Sequence, residues 1–329
     1  MTKVRRIITG GTQLRPLNIL TFPTHERYES QLAKTGHNFY SFHVPNGKKW
    51  NKDQVDVPEN YYILPEGQLP SYIDFDLILV QSKFWQYQYM QRLNQMLQVP
   101  VIVLEHTMPT PQTLNEQQIA AMRQMLGHVN VFISKYSQEA WGISQNAVVI
   151  HHGIDTDKFE NTGVTRQKHG LTVANEFQKR DYCLNYSGWQ RVVSSGNIPM
   201  KVVGNNPGLS ESAKSIDDLV QAYNEATVYF NSSTLSPIPT SMLEAMACEC
   251  PVVSTATCLI PEIVTNGQEG FISNDESVLT SSLQRLLADP ELAAKMGKAA
   301  RQCVLNNFGQ ARFIAEWTNI FYQVCEVFK

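Results

Sequence analysis

The 329-residue sequence has no apolar run long enough to cross a bilayer: stretches such as Ala147 to Ile150 or Val101 to Leu104 stop far short of the ~20 residues a spanning helix needs. An integral membrane segment is therefore not expected. Met1 to Ile8 carries Lys3, Arg5 and Arg6 but runs into Thr-Gly-Gly-Thr, without an apolar core or a small-residue cleavage pattern, so no secretory signal is expected either. Cysteine is scarce and scattered. Cys183, Cys248, Cys250, Cys258, Cys303 and Cys325 form no C-x-x-C pair and stand near no histidine cluster at zinc spacing, so they read as reduced core residues of a cytoplasmic protein. No metal site is expected. Charge of one sign is also missing: the net charge is −3, with 13 Lys and Arg against 11 Asp and Glu in residues 1–150 and 14 against 19 afterwards. That balance does not predict a nucleic-acid binder, because phosphate recognition usually leaves a clear cationic footprint, and it does not exclude one. No G-x-G-x-x-G follows the first strand, which argues against a dinucleotide dehydrogenase.

The chain is long enough for two domains of ordinary size. Strand-length apolar runs alternate with helix-period segments, as in parallel sheets built from βαβ units. Strands are expected at Asn18–Phe22, Phe39–His43, Leu77–Gln81, Val101–Glu105, Val129–Ser134 and Ala147–His151, with helices at Glu26–Thr35, Lys83–Gln98 and Thr113–Leu126. Gly36 marks the first helix stop, and Pro111 and Gly127 bracket the third helix. The pattern then repeats, with strands at Leu171–Glu176, Met200–Gly204, Val228–Asn231 and Pro251–Ser254 and helices at Asp181–Ser195, Ser215–Glu225 and Thr240–Cys248. Three helical segments, Asp275–Leu287, Pro290–Asn306 and Gln310–Val327, close the chain with no strand left to feed, and the last suits a return to the first domain. The Asp-, Asn- and Gly-rich stretch Gly153–Gly163 is the expected junction, placing domains at 1–152 with 308–329, and at 153–307.

In open α/β sheets ligands bind beyond the carboxyl ends of the strands. Three such ends in the first half carry chemistry. Thr24, His25 and Glu26 open a helix whose amides suit an anion or a sugar hydroxyl, unless Thr24 is simply its N-cap. Glu105 and His106 follow Val-Pro-Val-Ile-Val-Leu, and a histidine at a strand's carboxyl end is expected to face the crevice, in a ligand role rather than a merely structural one. His151 and His152 sit before Gly153, where a hinge fits better than a metal for want of a third ligand.

The most informative segment begins at Ser236 and runs Ser-Pro-Ile-Pro-Thr-Ser-Met-Leu-Glu-Ala-Met-Ala-Cys. Pro237 and Pro239 delay the helix and Thr240 or Ser241 caps it, leaving first-turn amides at a positive dipole end to hold a diphosphate. Glu244, about one turn in, either faces a ribose diol or is a capping carboxylate.

This segment and its continuation, Pro-Val-Val-Ser-Thr and then Ile-Pro-Glu-Ile-Val-x-x-Gly-x-x-Gly-Phe-Ile, resemble the retaining family 4 glycosyltransferases (glycosyl transferases group 1). So do Val131-Phe-Ile-Ser-Lys-Tyr-Ser and Val149-Ile-His-His-Gly-Ile-Asp-Thr-Asp-Lys-Phe159. The resemblance implies the GT-B fold, two Rossmann-like α/β domains facing a central cleft, with a C-terminal helix returning to the N-terminal domain. It implies that Glu244 holds the nucleotide ribose and that the amides around Pro239, Thr240 and Ser241 hold the diphosphate. His106 lies against the donor sugar. Arg180, with Lys179, takes the place of the cations that neutralise the diphosphate, Asn175 stands where an arginine is usual, and Gly204 and Asn205 follow the next strand near the base. Ser236 replaces the glutamate that usually binds donor-sugar hydroxyls, and Phe-Pro-Thr-His-Glu replaces the usual glycine-rich loop after the first strand.

The resemblance implies transfer from a UDP- or GDP-sugar, with no cofactor or metal, to a glycan or lipid-linked sugar, in the cytoplasm or at a membrane surface. Leaving-group charge is stabilised by Arg180 and helix amides. A double displacement has only Glu26 and Glu105 as candidate carboxylates. Three alternatives stand beside this reading. One is a transferase acting on hydroxymethylated viral DNA bases, for which Lys48, Lys49, Trp50 and Lys52 are the basic, aromatic cluster if they are not simply a solvated loop. Another is a non-catalytic nucleotide-sugar binder, and the last is a sugar-1-phosphate nucleotidyltransferase, whose glycine-rich opening Thr9-Gly-Gly-Thr-Gln-Leu-Arg-Pro-Leu17 resembles.

Overall fold

The computed structural model describes residues 15–45, 47–52, 55–110, 112, 114–236 and 238–328. The glycine-rich opening before residue 15, Pro111 and Thr113 at the expected start of the third helix, and Pro237 lie outside the described residues.

In chain order the first half runs β1 (Asn18–Thr21), α1 (Glu26–Ala33), β2 (Asn38–Ser41), β3 (Tyr61–Ile63), β4 (Leu77–Val80), α2 (Trp85–Leu97), β5 (Val101–Glu105), α3 (Glu116–Arg123), β6 (Val129–Phe132), α4 (Lys135–Trp141) and β7 (Ala147–Val149). The second half runs β8 (Gln167–Val173), α5 (Asp181–Leu184), α6 (Tyr186–Ser195), β9 (Met200–Val203), α7 (Ile216–Glu225), β10 (Ala226–Asn231), α8 (Thr240–Ala247), β11 (Val252–Ser254), α9 (Ile260–Ile263), β12 (Gly270–Ile272), α10 (Glu276–Ala288), α11 (Pro290–Asn307) and α12 (Gln310–Val327).

Two compact units result. The first takes the chain up to Phe132, Trp141–Ile150 and everything from Ile314 onward; the second takes Ile133–Ala140 and His151–Phe313. Each has one sheet with every pairing parallel: seven strands ordered β3-β2-β1-β4-β5-β6-β7, and five ordered β12-β11-β10-β8-β9. The central strands β4, Leu-Ile-Leu-Val, and β5, Val-Ile-Val-Leu-Glu, are buried at every position, as strands covered on both faces must be. Strand order reverses between β1 and β4 in the first sheet and between β8 and β10 in the second. Those reversals are where an open α/β sheet leaves a crevice at its carboxyl edge.

In the first unit Phe22, Phe42, Phe75, Met90 and Leu93 pack over the sheet on the α2 side. Helix α12 brings Trp317 and Phe321, both fully buried, and Trp317 Nε1 donates to the Tyr28 hydroxyl of α1 at 3.1 Å. In the second unit two clusters cover the two sheet faces. One joins α7, α8 and α11 through Tyr223, Met242, Met246 and Val304; the other joins α6 and α10 through Trp189, Val192, Leu283 and Leu286.

Several expected elements differ. The helix expected over Asp181–Ser195 is two helices, broken at Asn185, whose φ of +54° ends α5 while its side chain caps α6 by accepting from the Gly188 amide at 3.1 Å. Strand β3, helix α4, helix α9 and strand β12 were not expected. β3 and β12 are three residues each, too short for period-2 alternation to register, and are held by pairing with β2 and β11. The free cysteines are split: Cys183, Cys248, Cys250 and Cys325 are buried, whereas Cys258 and Cys303 are half-buried.

Candidate functional site

The carboxyl edge of the second sheet is a set of loops tied to one another. After β8, the Ala174 amide donates to Val203 O at 3.0 Å and the Glu176 amide to Asn205 O at 2.9 Å. Asn175 Oδ1 accepts from the Asn205 amide at 2.8 Å, and the buried Asn206 side chain accepts from Phe177 N at 2.7 Å and donates to Ala174 O at 2.8 Å. This close approach explains Gly204. Its φ is +138°, and a Cβ there would lie 1.9 Å from Ala174 O, inside the neighbouring backbone. Asn175 thus spends its side-chain acceptor on closing the two loops.

Next to them α8 begins at the β8/β10 switch point. Neither Thr240 nor Ser241 caps it, contrary to expectation: Pro239 occupies the N-cap position with no side-chain hydrogen bond. Ser241 Oγ instead pairs with the Tyr229 hydroxyl at 2.7 Å and reaches Val173 O, at the end of β8, at 3.3 Å. Burial holds the Tyr229 phenol far above its ordinary value, so it stays a neutral partner. Thr240 is exposed, and the Thr240 and Ser241 amides make no hydrogen bond among the described residues. An eight-residue helix therefore presents two first-turn amides, those of Thr240 and Ser241, that meet no acceptor among the described residues at the sheet's switch point.

The opposite end of α8 is clamped. Arg166 donates to Cys248 O at 2.7 Å, Glu249 O at 2.9 Å and Tyr223 O at 3.0 Å, and Arg301 donates to Ala247 O and to Phe159 O at 3.1 Å. Two guanidinium groups on the last carbonyls satisfy the negative dipole end and fix the helix along its axis.

Glu244 is 3% exposed and accepts from the Tyr223 hydroxyl at 2.8 Å, a partner that no spacing in the sequence reveals. Arg180 is exposed at the N-cap of α5. That short helix is tied to the loop leading into α8, since Cys183 O accepts from the Thr234 and Leu235 amides and Ser232 Oγ donates to Leu184 O at 2.8 Å. Lys179 is also exposed but pairs with Glu176 at 2.7 Å, which lowers the Glu176 carboxyl below its ordinary value. Half-buried Ser236 lies against Cys258, whose thiol is pushed up by burial and partly pulled back by the Ser236 amide. The structure thus brings Asn175, Gly204 and Asn205 into one loop cluster, and joins Arg180, Ser236, Pro239, Thr240, Ser241 and Glu244 along the segment into α8.

The first unit has its own strand-end group. His25, not Thr24, is the N-cap of α1, in extended conformation and without a capping side-chain bond. Thr24 Oγ1 accepts from Gln86 Nε2 at 2.8 Å. Glu26 is buried: burial works to raise its carboxyl, but Lys48 at 2.9 Å and the Asn51 amide at 3.1 Å outweigh it and hold it below the ordinary range. Glu105 is buried, raised by burial, and accepts from Thr107 through Oε1; its Oε2 has no hydrogen-bond partner among the described residues. His106 packs edge-on against Tyr28 and His25, with ring centroids 4.7 and 5.2 Å away, and its Nε2 is 3.2 Å from Gln81 Oε1. His151 and His152 are anchored through their carbonyls by Arg312 at 3.0 Å.

Two functional candidates were missed, Glu29 and Gln81. The rule that flagged Glu105 and His106 applies equally to Gln81, which follows β4. In the basic, aromatic cluster that could serve a DNA base, or be a solvated loop, Trp50 is buried with Nε1 donating to Val55 O at 2.7 Å, and Lys48 pairs with Glu26.

The family model for Glycosyl transferases group 1 matches residues 212–303, from just before α7 into α11. Residues 212–303 are thus similar to the group 1 glycosyltransferases, and the two parallel-sheet units have the fold of the two Rossmann-like halves of GT-B proteins. It is similar to alpha-maltose-1-phosphate synthase of Mycobacterium tuberculosis, at 29% identity over 180 residues covering 49% of this chain and 46% of that protein. It is also similar to N-acetyl-alpha-D-glucosaminyl L-malate synthase of Bacillus anthracis, at 33% over 85 residues covering 25% and 22%. The chain spans less than half the length of these curated relatives. Among solved structures, Anabaena HepE in complex with UDP and glucose superposes with a TM-score of 0.74 at 14% identity, covering 92% of this chain and 99% of that one.

Proposed function

We propose that this protein is a retaining glycosyltransferase that moves a sugar from a nucleotide-diphosphate sugar to a hydroxyl of a glycan or a lipid-linked sugar. The observation that carries the reading is the N-terminus of α8: the Thr240 and Ser241 amides, without an acceptor among the described residues, at the sheet's switch point and inside the segment that matches the group 1 family. In this reading the amides of Thr240 and Ser241 and the Arg180 guanidinium take the diphosphate, Glu244 takes the ribose hydroxyls, and the loops at Asn175, Gly204 and Asn205 border the base. Lys179 is the secondary cation, because Glu176 competes for it. His106 lies against the donor sugar, while Thr24, His25, Glu26 and Glu105 border the acceptor. That HepE binds UDP and glucose on the same fold supports a UDP-sugar donor.

Catalysis is electrostatic. As the glycosidic bond to the diphosphate breaks, negative charge grows on the leaving oxygen, where preorganised amides and Arg180 stabilise it more than they stabilise the ground state. The acceptor hydroxyl attacks from the leaving-group face and hands its proton to the departing phosphate, so configuration is kept without a side-chain base. Glu26, tied to Lys48, and Glu105, deeply buried, are poorly set up to act as covalent nucleophiles. The free cysteines fit a reducing cytoplasm, and a lipid-linked acceptor brings the protein to a membrane surface.

The test is a mass-spectrometric screen of UDP- and GDP-sugars against glycans, lipid-linked sugars and hydroxymethylated DNA, with and without EDTA. Transfer or donor hydrolysis that survives EDTA, with a retained anomeric configuration by NMR, is expected. Nucleotide binding with no turnover of any donor makes the protein a non-catalytic binder. Pyrophosphate exchange with a nucleoside triphosphate makes it a nucleotidyltransferase.

A further inference from the structure

A chain of polar side chains occupies the first sheet's switch point, between the carboxyl ends of β1 and β4. Glu29 of α1 is 1% exposed. Its Oε1 accepts from Gln81 Nε2 at 2.7 Å, and the Thr24 amide lies 3.3 and 3.4 Å from its two oxygens. Gln81 Nε2 also reaches Thr21 Oγ1 at 3.2 Å, and its backbone amide is held by Gln86 Oε1 at 2.9 Å. The Gln81 amide is thereby fixed between Glu29 and the His106 ring.

The direction of this chain follows from donor chemistry. An ionised carboxylate only accepts, so Gln81 must turn its NH2 to Glu29 and its carbonyl to His106. A carbonyl also only accepts, so His106 Nε2 must carry the proton, and the lone pair of the neutral ring lies on Nδ1. We propose that Glu29, acting through Gln81, is a positioning residue that sets which nitrogen of His106 carries the proton. The role of His106 beside a donor sugar rests on the reading above; the direction of the hydrogen bonds rests on the geometry alone.

A protonated Glu29 reverses the chain. Its O–H donates to the Gln81 carbonyl, the amide turns over, and an N–H then points at His106 Nε2, which must accept, so the ring proton moves to Nδ1. Burial raises the Glu29 carboxyl to about 7, against the Gln81 and Thr24 hydrogen bonds and the Lys48 charge, which lower it; Glu26 on the same helix and the buried Tyr61 phenol of β3 face it too. The reversal therefore sits near neutral pH.

The test uses the full chain labelled with 15N-histidine. Two-bond proton–nitrogen spectra distinguish the Nε2–H, Nδ1–H and doubly protonated rings, and His106 is assigned by the signal lost in His106→Gln. At pH 8.5 the wild-type ring is expected as Nε2–H. Glu29→Gln, which can face Gln81 with either end of its amide, is expected to move part of the population to Nδ1–H, with a circular dichroism spectrum like the wild type's. An Nδ1–H ring in the wild type at pH 8.5, or an unchanged tautomer ratio in Glu29→Gln, overturns the proposal. Gln81→Leu supplies a second break in the chain, and an unchanged ratio there overturns it as well. Because the readout is on the free protein, failure of sugar transfer leaves it standing. In an active enzyme Glu29→Gln lowers kcat by about tenfold, the lower end of what outer-shell partners of histidine are worth in metal sites, with the donor KM unchanged.

Discussion

Two buried titratable residues pull the stability of the first unit in opposite directions with pH. Glu29, raised by burial to about 7, keeps its proton in the folded chain after the unfolded chain has lost it, so stability falls as pH rises from about 4.5 to about 7. His37, lowered by burial to about 4, has lost its proton where the unfolded chain still holds one, so stability falls as pH drops from about 6.5 to about 4. Glu29→Gln removes the first slope and leaves the second. Its stability relative to wild type should move in its favour by about 3 kcal/mol between pH 4.5 and pH 8, from a shift of two to three pKa units at 1.36 kcal/mol each. Urea unfolding at the two pH values measures this, and a constant gap means that Glu29 titrates normally. At the proposed donor site, Arg180 is exposed and Glu244 buried, so their variants should separate. Arg180→Ala should lower kcat more than it raises the donor KM, with no change in melting temperature, whereas Glu244→Gln should raise the donor KM by about 10- to 100-fold, the loss of one charge-assisted hydrogen bond. Identical kinetics in both variants would remove the site as placed.

Helix α8 shows how an element is fixed at one end so that the other stays available. Arg166, just before β8, and Arg301 of α11 reach its final carbonyls, and Gly297 of α11 lets that helix approach so closely that a Cβ there would lie 2.0 Å from Glu249 O. Arg301→Ala should destabilise the second unit by about 2–3 kcal/mol, the cost of leaving part-buried carbonyls without a charged donor. Thermal unfolding checks this, and a loss under about 0.5 kcal/mol would show that water replaces the clamp. The span of α8, Thr240–Ala247, was legible because prolines precede it and an apolar run fills it. Its cap was not. A serine at the first turn reads as a cap locally, but Tyr229, twelve residues back on β10, takes its hydroxyl. Likewise Asn185 is one ordinary residue inside a helical period until its left-handed backbone splits α5 from α6.

At the scale of the whole chain, the last helix belongs with the first unit from Ile314 onward, nearly three hundred residues away in sequence from the strand and helix it covers. Trp317 is fully buried there against Tyr28, and Tyr322 donates to Arg15 O at 3.0 Å. Trp317→Ala should cost the first unit about 3–5 kcal/mol. Hydrogen exchange should then speed up in α1 and β1 while β8, β10 and β11 keep their protection; equal loss in both units would contradict the division of the chain. Local sequence alone determined the alternation of strands and helices, the buried central strands and the helix opening after Ser236, because each rests on periodicity, proline or glycine acting within a few residues. Only the tertiary structure decided what the polar groups at the strand ends do. Glu29 meets Gln81 across 52 residues and Tyr223 meets Glu244 across 21, and no pattern in the chain encodes a hydrogen bond between side chains that folding brings together.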